Sequence, residues 1–438
     1  MSAPVIIAAG GTGGHVVPAL AVAEVLERRG VRVVWLGTRA GLESRLVPAA
    51  GLEIRWIDVA GLRGKGLRGA LVGPPRLARA CLQSLAQLAR LRPRAVLGMG
   101  GFVAGPVALA ALALRRPLVL HEQNAIAGMT NRRLARFAAR VLAAWPDAFG
   151  DAALRVETIG NPVRRDIAAL AADGTARAVA DTGARDGVPA DAPLASGRPL
   201  RLLVVGGSRG ARALNETVPA AIARLDRAVR VLHQTGAADA GAVRSRYAAS
   251  GAAVGESGGT VDAAGGVERG GTIGATDGAE SGVTGAATGR GGSAAADGVA
   301  NARTEVTVEP FVDDMAAAYL DADLVVCRSG AMTVTELAAL GRPSILVPFP
   351  HAVDDHQSAN ARALAEAGAA IVIDQAALTD ERLAAELARL DGDRDALARM
   401  ARAARGCFRA GAAEAVADAL LDGAGRADLH AASAEGAR

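Results

Sequence analysis

The stretch AAGGTGGHVVPALAVAEVL, Ala8 to Leu26, decides how this chain is read. Val5 to Ala9 is an apolar run of strand length, and Val16 to Arg29 has helical spacing, with Pro18 tolerated in the first turn and Gly30 at the end. The glycines around Thr12 therefore fall at a strand-to-helix turn. Glycine there permits positive φ and close approach of a ligand to the backbone. The helix start behind it offers free N–H groups and a positive dipole end, which suit a phosphate. Gly10 to Gly14 do not spell Gly-x-Gly-x-x-Gly, and no Gly-Lys-Ser/Thr follows. The turn alone leaves two readings open, a phosphate cradle and a tight packing turn.

Outward from this stretch the alternation continues. Val31 to Leu36, Arg94 to Gly98 and Pro117 to Leu120 read as further strands, each followed by a glycine-rich or polar loop and a helix. Such alternation predicts a parallel sheet covered by helices on both faces, with ligand sites at the carboxyl ends of the strands. At Pro199 the pattern restarts with PLRLLVVGGSRGARALNETV, followed by VRVLHQTG, DLVVCRSGAMTVTEL and PSILVPFP. The expected fold is thus α/β, with two doubly wound parallel-sheet domains. Ala95 to Leu114 is uncharged and long enough to span a bilayer, but Gly98, Gly100, Gly101, Gly105 and Pro106 divide it into a strand, a loop and a helix from Val107 to Leu114.

At 438 residues the chain has room for about two domains. With 51% hydrophobic but only 3% aromatic residues, its cores must be aliphatic. The net charge of +4 suits an anionic ligand or a membrane surface, while no basic tail or block suggests nucleic acid. Cys81, Cys327 and Cys407 are scattered and odd in number, which points to reduced thiols in a cytoplasmic protein, and the N-terminus lacks the pattern of a signal peptide. The expected organisation is an N-terminal domain over 1–164, a flexible linker over 165–198 and a second domain over 199–408. A C-terminal helix over 409–423 is expected to pack back on the first domain, and a flexible tail to cover 424–438. Within the second domain, 248–301 carries no leucine and reads as a disordered insertion.

Two domains of this kind would face each other across a cleft. The loops at Gly10–His15, Met99–Gly105 and His121–Asn124 would line it from one side. Those at Gly206–Gly210, Arg328–Glu336 and His351–Gln357 would line it from the other. Glu336, about one turn into its helix, could accept both hydroxyls of a ribose or could be an ordinary surface glutamate. Asp321-Ala322-Asp323 precedes a strand, the wrong edge of a parallel sheet for a ligand, and Asp391-Gly392-Asp393 reads as a surface turn between helices. Neither string suits a catalytic metal, and the histidines show no metal-ligand spacing. The segment GLRGALVGPPRLARACLQSLAQLARLRPR mixes leucines with arginines, either as a headgroup-binding amphipathic segment or as a surface helix with a solvated face.

GGTGGHVVPALAVAEVL, WLGT, GLRGKG, LGMGGFVAGP, LHEQNAIAGMTNR, GNPVR, VVGGSRGA, HQTG, CRSGAMTVTELAALGRPSILVPFP and DDHQSANA follow one another along the chain. Together they closely resemble the MurG family of bacterial transferases, over nearly all of Val5 to about Leu420 except the low-complexity stretches. The resemblance implies the GT-B fold, two Rossmann-like domains with the active site between them. It implies transfer of N-acetylglucosamine from UDP-N-acetylglucosamine to the 4-hydroxyl of the N-acetylmuramic acid of lipid I. The products are lipid II and UDP, with inversion at the anomeric centre, in peptidoglycan biosynthesis. It further implies a peripheral protein of the cytoplasmic membrane face, with other cell-wall synthesis and division proteins as partners; no cofactor and no metal are expected.

Carried over by position, the resemblance implies a first-domain glycine loop of Thr12, Gly13 and Gly14 that receives the acceptor diphosphate. It implies donor or sugar contacts at Asn124, Arg164, Ser208 and Gln357, and a uracil contact through the backbone of Val312. Ala331, Met332, Thr333, Val334, Thr335 and Glu336 form the phosphate- and ribose-binding turn, with Glu336 on the ribose. The fit is weaker around PHAVDDHQ and Arg209. His15 faces the cleft, either as the general base for the acceptor hydroxyl or as a residue that positions the acceptor or caps the helix. The competing readings are a UDP-N-acetylglucosamine 2-epimerase, another lipid glycosyltransferase of the same fold and a non-catalytic nucleotide-binding module. A nicotinamide dehydrogenase lacks its fingerprint glycine spacing here.

Overall fold

The computed structural model describes residues 3–59, 66–151, 153–173, 198–206, 211–255 and 304–422. The expected tail, most of the expected linker and most of the expected insertion, together with Ser208, lie outside them.

In the first half, strands β1 (Val5–Ala8), β2 (Val33–Gly37), β3 (Glu53–Trp56), β4 (Ala95–Gly98), β5 (Leu118–Glu122), β6 (Arg140–Ala143) and β7 (Val156–Thr158) form a seven-stranded sheet in the order β3-β2-β1-β4-β5-β6-β7. Every pair is parallel, and Val5 registers with both Val33 and Ala95. The crossovers carry α1 (Gly13–Arg28), α2 (Glu43–Ala49), α3 (Gly66–Leu91), α4 (Gly101–Ala113) and α5 (Met129–Leu134). Helix α6 (Arg165–Ala172) follows β7.

The second half repeats the plan. Strands β8 (Leu200–Val205), β9 (Val229–Gln234), β10 (Ala253–Gly255), β11 (Glu305–Glu309), β12 (Leu324–Cys327), β13 (Ser344–Leu346) and β14 (Ala370–Val372) form a second parallel seven-stranded sheet, in the order β10-β11-β9-β8-β12-β13-β14. Its helices are α7 (Arg212–Ala223), α8 (Ala240–Ala249), α9 (Met315–Asp321), α10 (Ala331–Ala339), α11 (His356–Glu366), α12 (Asp380–Gly392) and α13 (Arg394–Cys407).

The strand sequences explain the double cover. Successive side chains of a strand point to opposite faces, so a strand apolar throughout must be buried on both. Val5 and Ile7 enter one core with α1, while Ile6 and Ala8 enter another with α4. Leu202 and Val204 likewise separate from Leu203 and Val205. The last described segment, 412–422, is helical and places Val416, Ala417, Ala419 and Leu420 in the core of the first half beside Val22 and Leu26. Asp418 pairs there with Arg29 at 2.5 Å.

Two helices begin earlier than the glycines suggest. Helix α1 starts at Gly13, so Gly13, Gly14 and His15 form its first turn rather than a loop before it. Helix α4 starts at Gly101 and runs through Gly105 and Pro106. Packing overrides propensity in α4, where Val103, Ala104, Val107 and Ala111 are all fully buried. Strand β5 also extends beyond its apolar run and carries His121 and Glu122 into the buried sheet end.

Candidate functional site

Each sheet changes winding direction at one place, between β1 and β4 and between β8 and β12. In open parallel sheets ligands bind outside the carboxyl ends of the strands at such switch points. The turn after β1 contains Gly10–Thr12, and the turn after β4 contains Met99 and Gly100. The turn after β12 contains Arg328–Gly330. Helices α1 and α10, which follow two of these turns, pack against each other. The two switch points therefore meet at one seam.

Side chains from both halves tie the seam together. Asn161 donates through Nδ2 to Thr335 Oγ1 at 2.9 Å and to the Gln123 carbonyl at 3.0 Å. Asn360 Oδ1 accepts from the Ala125 N–H at 2.8 Å, and its Nδ2 donates to Asn124 Oδ1 at 3.2 Å. On the second half Gly330 caps α10 with no side-chain bond, so the first N–H groups of that helix remain suited to an anion.

Glu336 sits one turn further along α10 and is only 9% exposed, so it is not a surface glutamate. Its carboxylate lies 3.7 Å from the Arg164 guanidinium and shares a hydrogen bond with the Tyr319 hydroxyl. Burial raises its pKa above the ordinary carboxylate range, against the opposing pull of Arg164. Arg164 caps α6 and also faces Asp166 at 3.6 Å, yet its Nε and Nη2 are buried without a hydrogen-bond partner. A carboxylate and a guanidinium held under these conditions suit polar, charge-bearing ligand groups.

The first-half turn is braced from below. Glu43 is fully buried at the start of α2, and its carboxylate accepts from the Gly11 N–H at 3.0 Å, the Thr38 N–H at 2.9 Å and the Thr38 hydroxyl at 2.7 Å. The buried Trp35 indole donates to the Ala9 carbonyl at 2.8 Å. These contacts fix the path of Gly10 and Gly11 although the glycines themselves are permissive. His15, half-buried, places one face of its ring on Gly100 and Gly101. Both have positive φ, 84° and 73°, and a Cβ on them would come within 3.2 and 3.3 Å of the imidazole. Its Nδ1 meets Gln123 Oε1 at 3.0 Å.

Two family models span these two halves. The glycosyltransferase family 28 N-terminal domain matches residues 5–143, and the family 28 C-terminal domain matches 201–256 and 287–419. The chain belongs to glycosyltransferase family 28, among the MurG proteins. It is 46% identical over 424 residues to the UDP-N-acetylglucosamine–N-acetylmuramyl-(pentapeptide) pyrophosphoryl-undecaprenol N-acetylglucosamine transferase of Alkalilimnicola ehrlichii, covering 96% of this chain and 99% of that one. The equally named protein of Methylococcus capsulatus is 45% identical, over 97% of this chain and 100% of its own. Among solved structures, Acinetobacter baumannii MurG aligns with a TM-score of 0.70 at 34% identity, covering 96% of this chain and 100% of that one. The fold is accordingly GT-B, and the chain is a glycosyltransferase.

With the MurG family in view, each expected site residue can be placed. Thr12 is exposed at the start of α1, and Gly13 and Gly14 are in its first turn. Ala331, Met332, Thr333, Val334, Thr335 and Glu336 all lie within the first six residues of α10, and Thr335 also donates to the Ala331 carbonyl. Val312 follows the carboxyl end of β11. Asn124 and Gln357 already have protein partners. Asn124 donates to Glu122 Oε1 at 3.0 Å while accepting from Asn360, and Gln357 Oε1 accepts from the Phe349 N–H at 2.9 Å.

The two Asp-x-Asp strings have structural partners. Asp323, 6% exposed, accepts from both Nη atoms of Arg198 at 2.7 Å, and Asp321 pairs with Arg201 at 2.9 Å. Asp391 does not lie in a surface turn. It is 8% exposed near the end of α12, paired with Arg394 and with Arg227 at 3.3 Å, because several arginines converge there. Reading the sequence missed Glu43, Gln123, Asn161 and Asn360 as organisers of the site. The HEQN string was visible, but nothing in it shows that His121 bonds a carbonyl 39 positions away.

Proposed function

We propose that this chain transfers N-acetylglucosamine from UDP-N-acetylglucosamine to the 4-hydroxyl of the muramyl sugar of lipid I, giving lipid II and UDP with inversion. The observation that carries this is the packing of α1 against α10. It brings His15 at one switch point to the same seam as the open α10 N-terminus and Glu336 at the other. The nucleotide lies along the second half. The α10 N–H groups hold its diphosphate, Glu336 accepts the ribose hydroxyls, Arg164 faces the same carboxylate and the Val312 backbone meets the uracil. Ser208 and Gln357 are assigned to the donor as well. The acceptor diphosphate lies over Thr12, Gly13 and Gly14.

In the transfer step, His15 takes the proton of the acceptor 4-hydroxyl. The hydroxyl oxygen attacks C1 of the donor sugar as the C1–O bond to the diphosphate breaks, and UDP leaves with the bonding electrons. Oriented N–H groups at α10 stabilise the charge that develops on the leaving diphosphate. Inversion follows from a single displacement.

A lipid-borne acceptor implies contact with a membrane surface. Among the described residues no helix is long and apolar enough to cross a membrane. Helices α3, α4 and α5 pack in succession in the first half, and Leu82, Leu109, Met129 and Phe137 are exposed on them and on the turn after α5. Arg132, Arg133 and Arg136 accompany them. Exposed apolar and basic groups on neighbouring helices suit peripheral binding to anionic lipid on the cytoplasmic face. The test is UDP release with and without a short-chain lipid I analogue. Acceptor-dependent release supports the reading. Equal release from donor alone would favour an epimerase or hydrolase.

A further inference from the structure

We propose that Gln123 and His121 form a positioning chain that sets the tautomer of His15, with the proton on Nδ1 and the lone pair on Nε2. The proposal rests on the reading that His15 receives the acceptor's proton, but its geometry stands apart from that reading.

Two backbone carbonyls fix the whole chain, because a carbonyl can only accept. The first is Gly160 O, 2.9 Å from His121 Nε2, so that nitrogen carries a proton. His121 is fully buried in β5, and burial lowers its pKa to about 4, so at neutral pH its Nδ1 is bare. The second is His121 O, 3.1 Å from one terminal atom of the Gln123 side chain. That atom must be the amide nitrogen. The same nitrogen lies 3.1 Å from His121 Nδ1, where it donates to the bare lone pair. Both carbonyls thus agree on one orientation of the Gln123 amide.

Gln123 is itself fully buried, and its other terminal atom is then the oxygen Oε1. This oxygen lies 3.0 Å from His15 Nδ1 and can only accept. His15 Nδ1 must therefore donate, which leaves Nε2 of the neutral ring unprotonated. No protein group bonds that nitrogen among the described residues. A lone pair there is what removal of a hydroxyl proton requires, and the opposite tautomer would present an N–H instead.

The surroundings hold the chain in place. The ring of His15 rests on Gly100 and Gly101, where any Cβ would crowd it. Gly160 is equally constrained. Its φ is 87°, and a Cβ there would fall 2.8 Å from the Arg409 Cβ, so the carbonyl that anchors the chain is fixed by the segment after α13. Asn131 donates to His121 O at 3.2 Å and to Glu122 Oε2 at 2.9 Å, which steadies the second carbonyl. Gln123 and His121 touch no reacting atom in this scheme. They act through His15.

The test is direct observation of the tautomer in full-length protein labelled with 15N-histidine. Six histidines are present, and comparison with His15→Ala identifies the His15 signals. The expected wild-type spectrum shows a protonated Nδ1 and a pyridine-like Nε2 for neutral His15. Gln123→Met, similar in volume but without the amide, should release this constraint and raise the Nε2–H form. It should lower kcat by about 10- to 100-fold, by analogy with the loss of outer partners that orient metal-bound histidines. The KM for UDP-N-acetylglucosamine should stay within about twofold, since only the Gln123 side chain changes and its bonds stay within the first half. A wild-type His15 protonated on Nε2 overturns the proposal, whatever Gln123→Met does. An Nδ1–H tautomer that Gln123→Met leaves unchanged overturns it too. If the tautomer shifts in Gln123→Met while transfer keeps its wild-type rate, the positioning chain stands and the assignment of His15 as base fails.

Discussion

Glu336→Gln separates the cost of keeping a buried carboxylate from its use in the site. Glutamine preserves the shape and one oxygen but removes the charge. In the ligand-free protein Glu336 is 9% exposed, and burial raises its pKa although Arg164 lies 3.7 Å away. A carboxyl whose folded pKa exceeds its unfolded value contributes fully only below the unfolded value. That contribution is lost as pH rises through the folded value. At neutral pH the permanently neutral glutamine should therefore raise the melting temperature of the empty protein. The ligand-bound state should respond in the opposite direction. A hydrogen bond to a charged group is worth about 1.5–3 kcal/mol, so losing one ribose bond should raise the dissociation constant for UDP-N-acetylglucosamine about 10- to 150-fold. Calorimetric titration with the donor and thermal unfolding without it would measure both effects on one sample. Unchanged donor affinity would remove Glu336 from the nucleotide site. A lower melting temperature at neutral pH would refute the electrostatic argument, because the charge would then be stabilising where it sits.

His15→Ala should lower turnover about 10²- to 10⁴-fold with little change in donor affinity; wild-type kcat and acceptor KM together would exclude both a basic and a positioning role. Turnover should survive EDTA, since Asp321 and Asp323 are engaged by arginines; complete loss of activity restored by a divalent ion would contradict this. Acid should unfold the protein partly through its buried histidines, His121 with a pKa lowered to about 4 and His233 to about 3. A histidine kept neutral by burial contributes stability above its unfolded pKa of about 6.5 and loses it as pH falls toward the folded value, for His121 about 3 kcal/mol in all. Urea midpoints followed from pH 7 to 4 should fall steeply, and His121→Asn should flatten that slope; an unaltered slope would place the acid sensitivity elsewhere.

The large features of the fold were legible because they follow from patterning along the chain. Val5–Ala9 and Leu202–Val205 are apolar at successive positions, as strands buried on both faces must be. The glycine turns after β1 and β12 marked both switch points. Helix starts were less legible. Gly13 and Gly101 suggest loops by propensity, yet both open helices, because packing behind them outweighs the cost of glycine. Charged residues were hardest to read. Glu336 and Asp391 have the local context of surface residues and become buried only through partners distant in sequence, Arg164 for one and Arg227 for the other. Glu43 gave no signal at all. Its role appears only once Gly11, 32 positions earlier, lies over it. The HEQN string offered four polar residues and no means to tell ligand contacts from supports. In the fold His121 and Gln123 turn inward to backbone carbonyls, while Asn124 bridges to Asn360.

The central claim is a direct, inverting transfer between two substrates held on opposite sides of one seam. Nuclear magnetic resonance of the product from UDP-N-acetylglucosamine and a short-chain lipid I analogue tests it most directly. A single new disaccharide is expected, β-linked to the 4-oxygen of the muramyl sugar and formed in step with UDP. An α linkage, a different acceptor oxygen, or UDP and free or epimerised sugar without disaccharide would contradict it.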